Sequence, residues 1–252
     1  MNTFIEPFVT SAGKAPVALV TGSSRGLGRA IALDLARAGC QVAVNYVSSA
    51  EAANEVVACI KASGGDAAPF RADVGNPEEV STLISAVHER FSQIDILVNN
   101  AGIAPRLDLF ETNVSNFDAV MAANVRSAYL MSQSVLGGMK ARRWGRLVFL
   151  SSMAARTGGV ISAPYAASKA AVEGLMHYYA SQLLTHHVTA NAVSPAFIET
   201  DIFKDAPGPA LATMPLERFG RPEEVAAVVR MLVTTEYITG QTIQISAGRY
   251  HT

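Results

Sequence analysis

The sequence predicts an α/β fold: a doubly wound parallel sheet of about seven strands with helices on both faces, forming a three-layer sandwich. Three observations predict it. Short β-branched runs recur along the chain, and helix-like stretches with a 3.6-residue periodicity separate most of them. A glycine-rich turn directly follows the first run, which is where open α/β sheets bind ligands.

The predicted strands cover residues 17–21, 41–46, 67–71, 94–99, 146–151, 188–193 and 241–246, and the predicted helices residues 29–38, 50–63, 77–91 and 223–233. No linker, repeat or break in composition divides residues 17–252, which should form one domain. Residues 1–16 lack a basic segment followed by an apolar run, so a loose tail is expected there instead of a signal peptide. The irregular segment 205–209 is a position for a substrate lid.

Composition excludes several classes of function. The formal net charge is −1 and only 16% of the residues are charged, which argues against binding to nucleic acid or to an anionic membrane. No apolar stretch is long enough to span a bilayer. Cys40 and Cys59 sit in apolar patterns and are expected to be buried thiols in a reducing cytoplasm. The five histidines show no ligand spacing, so no metal site is expected.

The first strand runs into the segment TGSSRGLG, residues 21–28, and a helix pattern follows. Gly22, Gly26 and Gly28 therefore occupy a strand-to-helix turn, where a dinucleotide pyrophosphate accepts hydrogen bonds from the helix N-terminus. Glycine suits this turn because it adopts positive φ and lets the backbone approach a phosphate. A glycine-rich turn without a ligand is the alternative.

The end of the second strand discriminates between cofactors. An NAD site is expected to place an acidic residue against the ribose 2′-hydroxyl, but the sequence at 45–49 is NYVSS, without an acid. Asn45, Ser48 and the nearby Arg25 can accommodate a 2′-phosphate instead. NADP(H) is therefore predicted over NAD(H). The alternative is that Arg25 is only a solvated loop charge.

A tyrosine and a lysine form the candidate proton-transfer pair. Tyr165 and Lys169 stand four residues apart at the start of a predicted helix and so share one of its faces. A lysine ammonium beside a phenol favours the phenolate, which makes the tyrosine a usable general acid or base. Ser152 ends the preceding strand, where its hydroxyl can hold a substrate oxygen. Y-x3-K alone also occurs by chance in amphipathic helices.

Together with these motifs, Asp73-Val74, Asn99-Asn100-Ala101-Gly102 and Asn124 make the chain resemble the short-chain dehydrogenase/reductase family from about residue 17 to 248. The resemblance implies a Rossmann-type fold and four catalytic residues, Asn124, Ser152, Tyr165 and Lys169. It also implies a larger set of cofactor-binding residues: Gly22, Ser24, Arg25, Gly26, Leu27, Gly28, Asn45, Ser48, Asp73, Val74, Asn100, Ala101, Gly102, Tyr165, Lys169, Pro195, Ile198 and Thr200.

Some roles come from the resemblance alone. The residue matching Asp73 contacts the adenine, the residue matching Lys169 holds the nicotinamide ribose, and the residue matching Asn124 supports a water in the proton relay. Without the resemblance, Asn124 is better explained as a helix asparagine bonded to neighbouring backbone. The implied reaction is hydride transfer between NADPH and a carbonyl carbon, with Ser152 orienting the oxygen and Tyr165 exchanging its proton.

Within the family, segments 21–28, 145–146, 197–201, 219–225 and 237–241 look like those of bacterial 3-oxoacyl-[acyl-carrier-protein] reductases. Such reductases of fatty acid biosynthesis use basic residues beside the site mouth to meet an acidic carrier protein, and Arg142, Arg143 and Arg146 are the candidates here. These arginines equally suit a helix end, where positive charge complements the helix dipole. His186 stands where a second arginine is frequent, which weakens the carrier-protein interpretation.

Other substrates stay open. Ala196, the short segment 202–214 and Ala247 depart from the family pattern and put the identity of the substrate in doubt. The alternatives are a small ketone, sugar, hydroxy acid or steroid, and, from another class, a non-catalytic dinucleotide-binding regulator. The resemblance also implies a homotetramer through the helices at 116–136 and 164–185, whose apolar residues include Leu130, Leu175 and Tyr179; packing on the sheet explains these residues equally well.

Overall fold

A computed structural model describes residue 10, residues 13–200, residue 214 and residues 216–249 of the chain. Its core is one parallel sheet of seven strands in the order β3-β2-β1-β4-β5-β6-β7. The predicted doubly wound α/β fold is confirmed. The strands are β1 Val17–Val20, β2 Gln41–Tyr46, β3 Ala67–Arg71, β4 Ile96–Asn99, β5 Gly145–Leu150, β6 Val188–Pro195 and β7 Thr242–Ile245.

The helices that connect these strands lie within one or two residues of most predicted bounds. They are α1 Gly26–Arg37, α2 Ala50–Ala62, α3 Pro77–Phe91, α4 Val114–Met121, α5 Ser127–Arg142, α6 Ala154–Thr157, α7 Ala163–Leu183 and α8 Pro222–Thr234. A π-helical turn, Ala122–Arg126, joins α4 to α5. The first helix begins at Gly26, earlier than the predicted residue 29, because the glycine turn itself supplies its first residues.

The sheet is buried on both faces, which is why its strands read as continuous apolar runs. One apolar cluster packs α3, α5 and α7 on one face, and a second packs α1, α2 and α8 on the other. All six residues of β5 and all eight of β6 are buried. These central strands therefore form a rigid base for the residues that follow their carboxyl ends.

The strand order reverses beside β1, which pairs with β2 on one side and with β4 on the other. The connections after β1 and after β4 run to opposite sides, so a crevice opens outside the carboxyl ends of these two strands. The glycine turn, the segment after β4 and the segment after β5 all border this crevice. The topology alone therefore directs attention to this edge.

One expectation about burial was wrong, and one open alternative is decided. Cys40 is buried, as predicted, but Cys59 is exposed on α2, because the apolar spacing around it belongs to its neighbours Val56, Val57 and Ile60. Tyr179 packs on the sheet, which was one of the two explanations given for its apolar character. Its ring stacks on Phe149 inside the core with the two centroids 6.1 Å apart.

Most of the predicted tail, and the segment 205–209 suggested as a lid, lie outside the described residues. Within the described part of the chain, no helix is long and apolar enough to cross a membrane.

Candidate active site

The glycine turn after β1 has the backbone geometry that requires glycine. Gly22 and Gly26 adopt positive φ angles of 61° and 55°. A Cβ on Gly28 would lie 2.4 Å from the Gly22 carbonyl oxygen, so the first turn of α1 packs directly on the preceding loop. A Cβ on Gly26 would meet no atom within 4 Å. The turn thus leaves open space at the N-terminus of α1, where a phosphate fits.

A set of short hydrogen bonds fixes this turn to the segment after β4. Asn100 Nδ2 donates to the carbonyl oxygens of Thr21 and Gly22 at 2.8 and 3.0 Å. Thr21 Oγ1 accepts from the backbone N–H groups of Asn100 and Ala101, each at 2.9 Å. The sequence analysis missed Thr21, although its position directly before the first glycine was a usable signal.

Asn45 requires a correction, because its side chain does not face the crevice. It is buried; its Oδ1 accepts from the Gly22 N–H at 3.0 Å, and its Nδ2 donates to the carbonyls of Phe70 and Ala72. All of its polar atoms therefore hold the turn against β2 and β3. Asn45 shapes the loop and does not contact a 2′-phosphate.

Two cavities lie along the crevice. One of about 400 Å³ runs past the end of β2, and its lining includes Gly22, Ser24, Arg25, Ser48, Asp73, Val74 and Ala101. Arg25, Ser48 and Asp73 are exposed at its walls. No acidic residue follows β2 at this wall, and Arg25 is the cation there. The donors at this wall suit a dinucleotide cofactor.

The second cavity, of about 420 Å³, continues from the glycine turn towards β5 and brings together residues from four segments: Gly26, Leu27, Gly28, Asn100, Gly102, Tyr165, Lys169 and Thr200. Pro195 and Ile198 are buried and line neither cavity. Ile103 and Ala104, which the sequence analysis missed, add apolar wall. The two cavities share Arg25, Asn100 and Gly102, so one extended ligand fits both.

A larger cavity of about 700 Å³ lies at the opposite edge of the sheet, between α1, α2 and α8. It includes none of the predicted site residues. The crevice holds the candidate site although its cavities are smaller, because Tyr165 and Lys169, the predicted proton-transfer pair, line it together with the glycine turn.

The phenol of Tyr165 lies beside the hydroxyl of Ser152. Burial raises the pKa of Tyr165, and a hydrogen bond with Ser152 opposes the rise in part. Desolvation is the larger effect on the phenol, and the stabilisation of its phenolate by Lys169 stays a prediction. The site therefore holds Tyr165 as a neutral phenol, with its proton available to a group in the cavity.

Lys169 is fully enclosed. Its Nζ donates to the Leu150 carbonyl oxygen at 2.7 Å and lies 5.6 Å from the centroid of the Tyr165 ring. Burial lowers the pKa of this lysine from its usual 10.5 to about 8. The contact with Leu150, at the very end of β5, was not predicted. It anchors the ammonium group at the end of β5, over the ring of Tyr165.

Asn124 sits in the π-helical turn, buried between two segments of the site. Its Oδ1 accepts from the Ile103 N–H at 2.7 Å, and its Nδ2 donates to the Ile103 carbonyl and to Ser168 Oγ. Ser168 Oγ in turn donates to the carbonyl of Tyr165 at 2.7 Å. The side chain of Asn124 thus joins the segment after β4 to the start of α7, as the backbone-bonding alternative supposed. π-Turns within helices frequently mark functional sites.

The three arginines proposed as a docking patch do not lie at the mouth of this site. Arg146 is 2% exposed, and its guanidinium bonds to the Val233 carbonyl and to Glu236. Arg142 donates to the Ile94 carbonyl and pairs with Asp95 at 3.3 Å. All three sit near the start of β5, roughly 20 Å along the strand from Ser152. Only Arg143 and part of Arg142 remain on the surface.

No group of three or more potential metal ligands occurs among the residues that the structure describes.

Comparisons with known proteins agree with this geometry. The family model described as Enoyl-(Acyl carrier protein) reductase matches residues 22–250. A 3-oxoacyl-[acyl-carrier-protein] reductase from Synechocystis sp. is 43% identical over 238 residues, which cover 93% of this chain and 96% of that protein. A reductase of the same name from Staphylococcus aureus strain N315 is 39% identical over 239 residues, covering 92% and 97%.

Among solved structures, that of a putative gluconate dehydrogenase from Agrobacterium tumefaciens superposes with a TM-score of 0.87 at 30% sequence identity. The match covers 92% of this chain and 95% of that chain.

Proposed function

We propose that this chain, which belongs to the short-chain dehydrogenase/reductase family, reduces the ketone of a 3-oxoacyl thioester to a hydroxyl group with NADPH. Family membership makes it an oxidoreductase with an NAD(P) cofactor. The observation that carries the proposal is that Tyr165 and Lys169 together line a cavity continuous with the glycine turn, with the Ser152 hydroxyl beside the phenol. Two relatives named as 3-oxoacyl reductases support the substrate class.

The residues that would hold the cofactor line both cavities. The glycine turn and Ser24 suit the pyrophosphate, Asp73 and Val74 the adenine, and the segment 100–102 the middle of the crevice. NADPH, when bound, supplies the hydride. The lysine ammonium of Lys169 would hold the nicotinamide ribose from below.

The residues of this chain have separate parts in the reduction. Ser152 donates a hydrogen bond to the substrate carbonyl oxygen and so orients it. As hydride reaches the carbonyl carbon, the π electron pair moves to the oxygen, and Tyr165 gives this oxygen its phenolic proton. Lys169 then stabilises the phenolate, which regains a proton from solvent. The proton route is expected to include Asn124 through a water held nearby.

The preference for NADPH rests on Arg25, which lines both cavities and faces no acid at the end of β2. Charge-assisted hydrogen bonds contribute about 1.5–3 kcal/mol, so Arg25→Gln should raise KM for NADPH roughly 10- to 100-fold. KM for NADH should change little. Arg29→Gln is the matched control, because Arg29 is exposed one turn further along α1 and lines the opposite cavity. Equal kcat/KM for the two cofactors in the wild type would refute the preference.

A second candidate substrate has an observation of its own. The solved neighbour named as a putative gluconate dehydrogenase acts, by that name, on a sugar acid. An oxidoreductase for a small hydroxy acid or ketone uses the same Ser152 and Tyr165 chemistry, and differs only in the cavity wall. A non-catalytic regulator is disfavoured because all four predicted proton-transfer residues are present.

The experiment follows the consumption of NADPH with acetoacetyl-CoA, a ketoacyl-carrier protein and a panel of small ketones, and the formation of NADPH from NADP+ with sugar acids. Turnover of thioesters that disappears in Tyr165→Phe, with NADPH binding intact, supports the proposal. Turnover of only the small compounds moves the substrate class, and residual turnover near the wild-type level in Tyr165→Phe refutes the site.

Three further features belong to the same proposal. The carrier protein is proposed from the relatives' names. The predicted arginine patch does not support it, since only Arg143 and part of Arg142 keep a surface position. A cytoplasmic location follows from such a partner, and residues 17–252 act as one domain. A homotetramer is supported by the exposed rings of Phe117, Tyr129 and Tyr178 on α4, α5 and α7, and light scattering of the purified protein tests it.

A further inference from the structure

Three side chains of α7 contact three consecutive residues at the end of β5. Tyr165 bonds to Ser152, and Lys169 Nζ donates to the Leu150 carbonyl at 2.7 Å. One helical turn beyond Lys169, the carboxylate of Glu173 accepts from Ser151 Oγ at 2.8 Å. The spacing of four residues repeats twice, so all three side chains lie on one face of the helix.

Glu173 is an unusual residue for this position, because its side chain is only 5% exposed. Its second carboxylate oxygen pairs with the half-exposed guanidinium of Arg156 at 3.0 Å. Burying a carboxylate carries a desolvation penalty, and apolar replacement of such pairs is frequently neutral or stabilising. Stability alone therefore does not explain a charged residue at position 173. Both partners of Glu173, Ser151 and Arg156, lie within four residues of Ser152.

We propose that Glu173 is a positioning residue that sets Ser152 against Tyr165 and holds the wall of the substrate cavity. The proposal rests on the function proposed above. The carboxylate acts through two contacts with different consequences. The first contact holds Ser151, the residue directly before Ser152. The backbone N–H of Ser151 also donates to the Val193 carbonyl of β6 at 2.8 Å. This first contact controls the gap between hydroxyl and phenol.

The second contact, through Arg156, controls a different part of the site. Arg156 belongs to α6, and the chain then passes through Gly158 and Gly159, both with positive φ. The Ile161 carbonyl accepts from the Leu107 N–H in the segment after β4. That segment supplies Ile103 and Ala104 to the cavity wall. Loss of this contact should therefore loosen the wall without moving the phenol.

The two contacts can be separated by substitution. Ser151→Ala removes the first and leaves the ion pair with Arg156. Glu173→Gln removes the ion pair and keeps an oxygen that can accept from Ser151. Because misplacement by about 1 Å lowers rates about 100-fold, Ser151→Ala should lower kcat roughly 10- to 100-fold with KM nearly unchanged. Glu173→Gln should chiefly raise KM for the carbonyl substrate, by roughly tenfold. Glu173→Asp keeps the charge, but its side chain is one methylene shorter, so this variant should not reach wild-type kcat and KM.

Asp95→Asn is the matched control. Asp95 is likewise a buried carboxylate paired with a partly exposed arginine, Arg142, but it lies at the other edge of the sheet. It should lose stability while kcat and KM stay at wild-type values. Rates are expressed per NADPH-binding site, counted by fluorescence titration, so that unfolded chains do not contribute.

The expected result is the split between kcat and KM with unchanged NADPH affinity in both variants. Wild-type kcat and KM in Ser151→Ala and Glu173→Gln, while Tyr165→Phe is inactive, would overturn the role of Glu173 alone. Equal losses in these variants and in Asp95→Asn would reduce it to a structural role. Retained activity in Tyr165→Phe would instead overturn the proposed function.

Discussion

Replacing Lys169 by methionine should make the protein without cofactor more stable and inactive. The ammonium group is fully enclosed, and burial lowers its pKa from 10.5 to about 8. At about 1.4 kcal/mol per tenfold change in an ionisation constant, holding it charged at pH 7 destabilises the folded chain by about 3 kcal/mol. Methionine fills a similar volume without charge.

Part of this gain is offset. The substitution leaves the Leu150 carbonyl, which now accepts from Lys169 Nζ at 2.7 Å, without that donor. An unsatisfied buried acceptor costs about 1–3 kcal/mol, so a net stabilisation of about 0–2 kcal/mol is expected at pH 7.

The pH dependence gives the sharper test. The folded-state pKa of this lysine is lowered, so the destabilisation is complete below about 8 and disappears as pH rises from about 8 towards 10.5. The advantage of Lys169→Met should therefore shrink by about 2 kcal/mol between pH 7 and 9.5. Urea unfolding followed by the single tryptophan, the buried Trp144, measures it.

Lys140→Met serves as the control, because Lys140 is exposed at the end of α5 and should change stability by no more than about 0.5 kcal/mol at either pH. A Lys169→Met variant that is less stable than the wild type at pH 7, or whose advantage does not depend on pH, would refute the argument from burial. NADPH should raise the melting temperature of the wild type more than that of the variant, because only the wild type keeps the ammonium group.

Three further predictions concern the turn, the thiols and the start of α8. Gly28→Ala should abolish NADPH binding and lower stability by about 1–3 kcal/mol, because the new Cβ would lie 2.4 Å from a carbonyl oxygen. Gly174→Ala is the control: its Cβ meets nothing within 4 Å, so the stability against denaturation and the NADPH affinity should stay at wild-type values. A thiol reagent at pH 8 should modify the exposed Cys59 quickly and Cys40 only after unfolding, since burial raises the pKa of Cys40 to about 12; two fast thiols would contradict this. Two neighbouring arginines lower the pKa of Glu224 to about 2, so Glu224→Gln should destabilise the protein at neutral pH, and its difference from wild type in acid titrations should vanish as pH falls from about 4.5 to 2.

The strands and most helices could be predicted from the sequence because their signals are local. Six residues of β5 and eight of β6 are buried, and a parallel sheet covered on both faces imposes that apolar run directly. The glycine turn was equally readable, since a positive φ at Gly22 and the close packing of Gly28 leave few other residues possible.

Contacts between distant segments could not be read in this way. Arg146 carries a charge within an apolar strand, and its burial depends on Glu236 and the Val233 carbonyl, which are about ninety residues away in sequence. Asn45 was assigned to a phosphate because of its place at the end of a strand, whereas its amide forms hydrogen bonds to two other segments, the glycine turn and the end of β3. In both cases the residue type suits the predicted contact, but the side chain points to other partners.

The proton-transfer pair shows the same limit in electrostatic terms. Four-residue spacing places Tyr165 and Lys169 on one face of α7, and from that spacing a charged lysine should stabilise the phenolate. Burial reverses the balance: it raises the pKa of the phenol and lowers that of the ammonium, so both neutral forms are favoured together. A neutral phenol, the form that an ordinary tyrosine also has at pH 7, is the protonation state that can donate to a reduced carbonyl oxygen. The negative charge of a bound dinucleotide would then favour the charged lysine. The protonation states of Tyr165 and Lys169 therefore depend on the cofactor as well as on the fold.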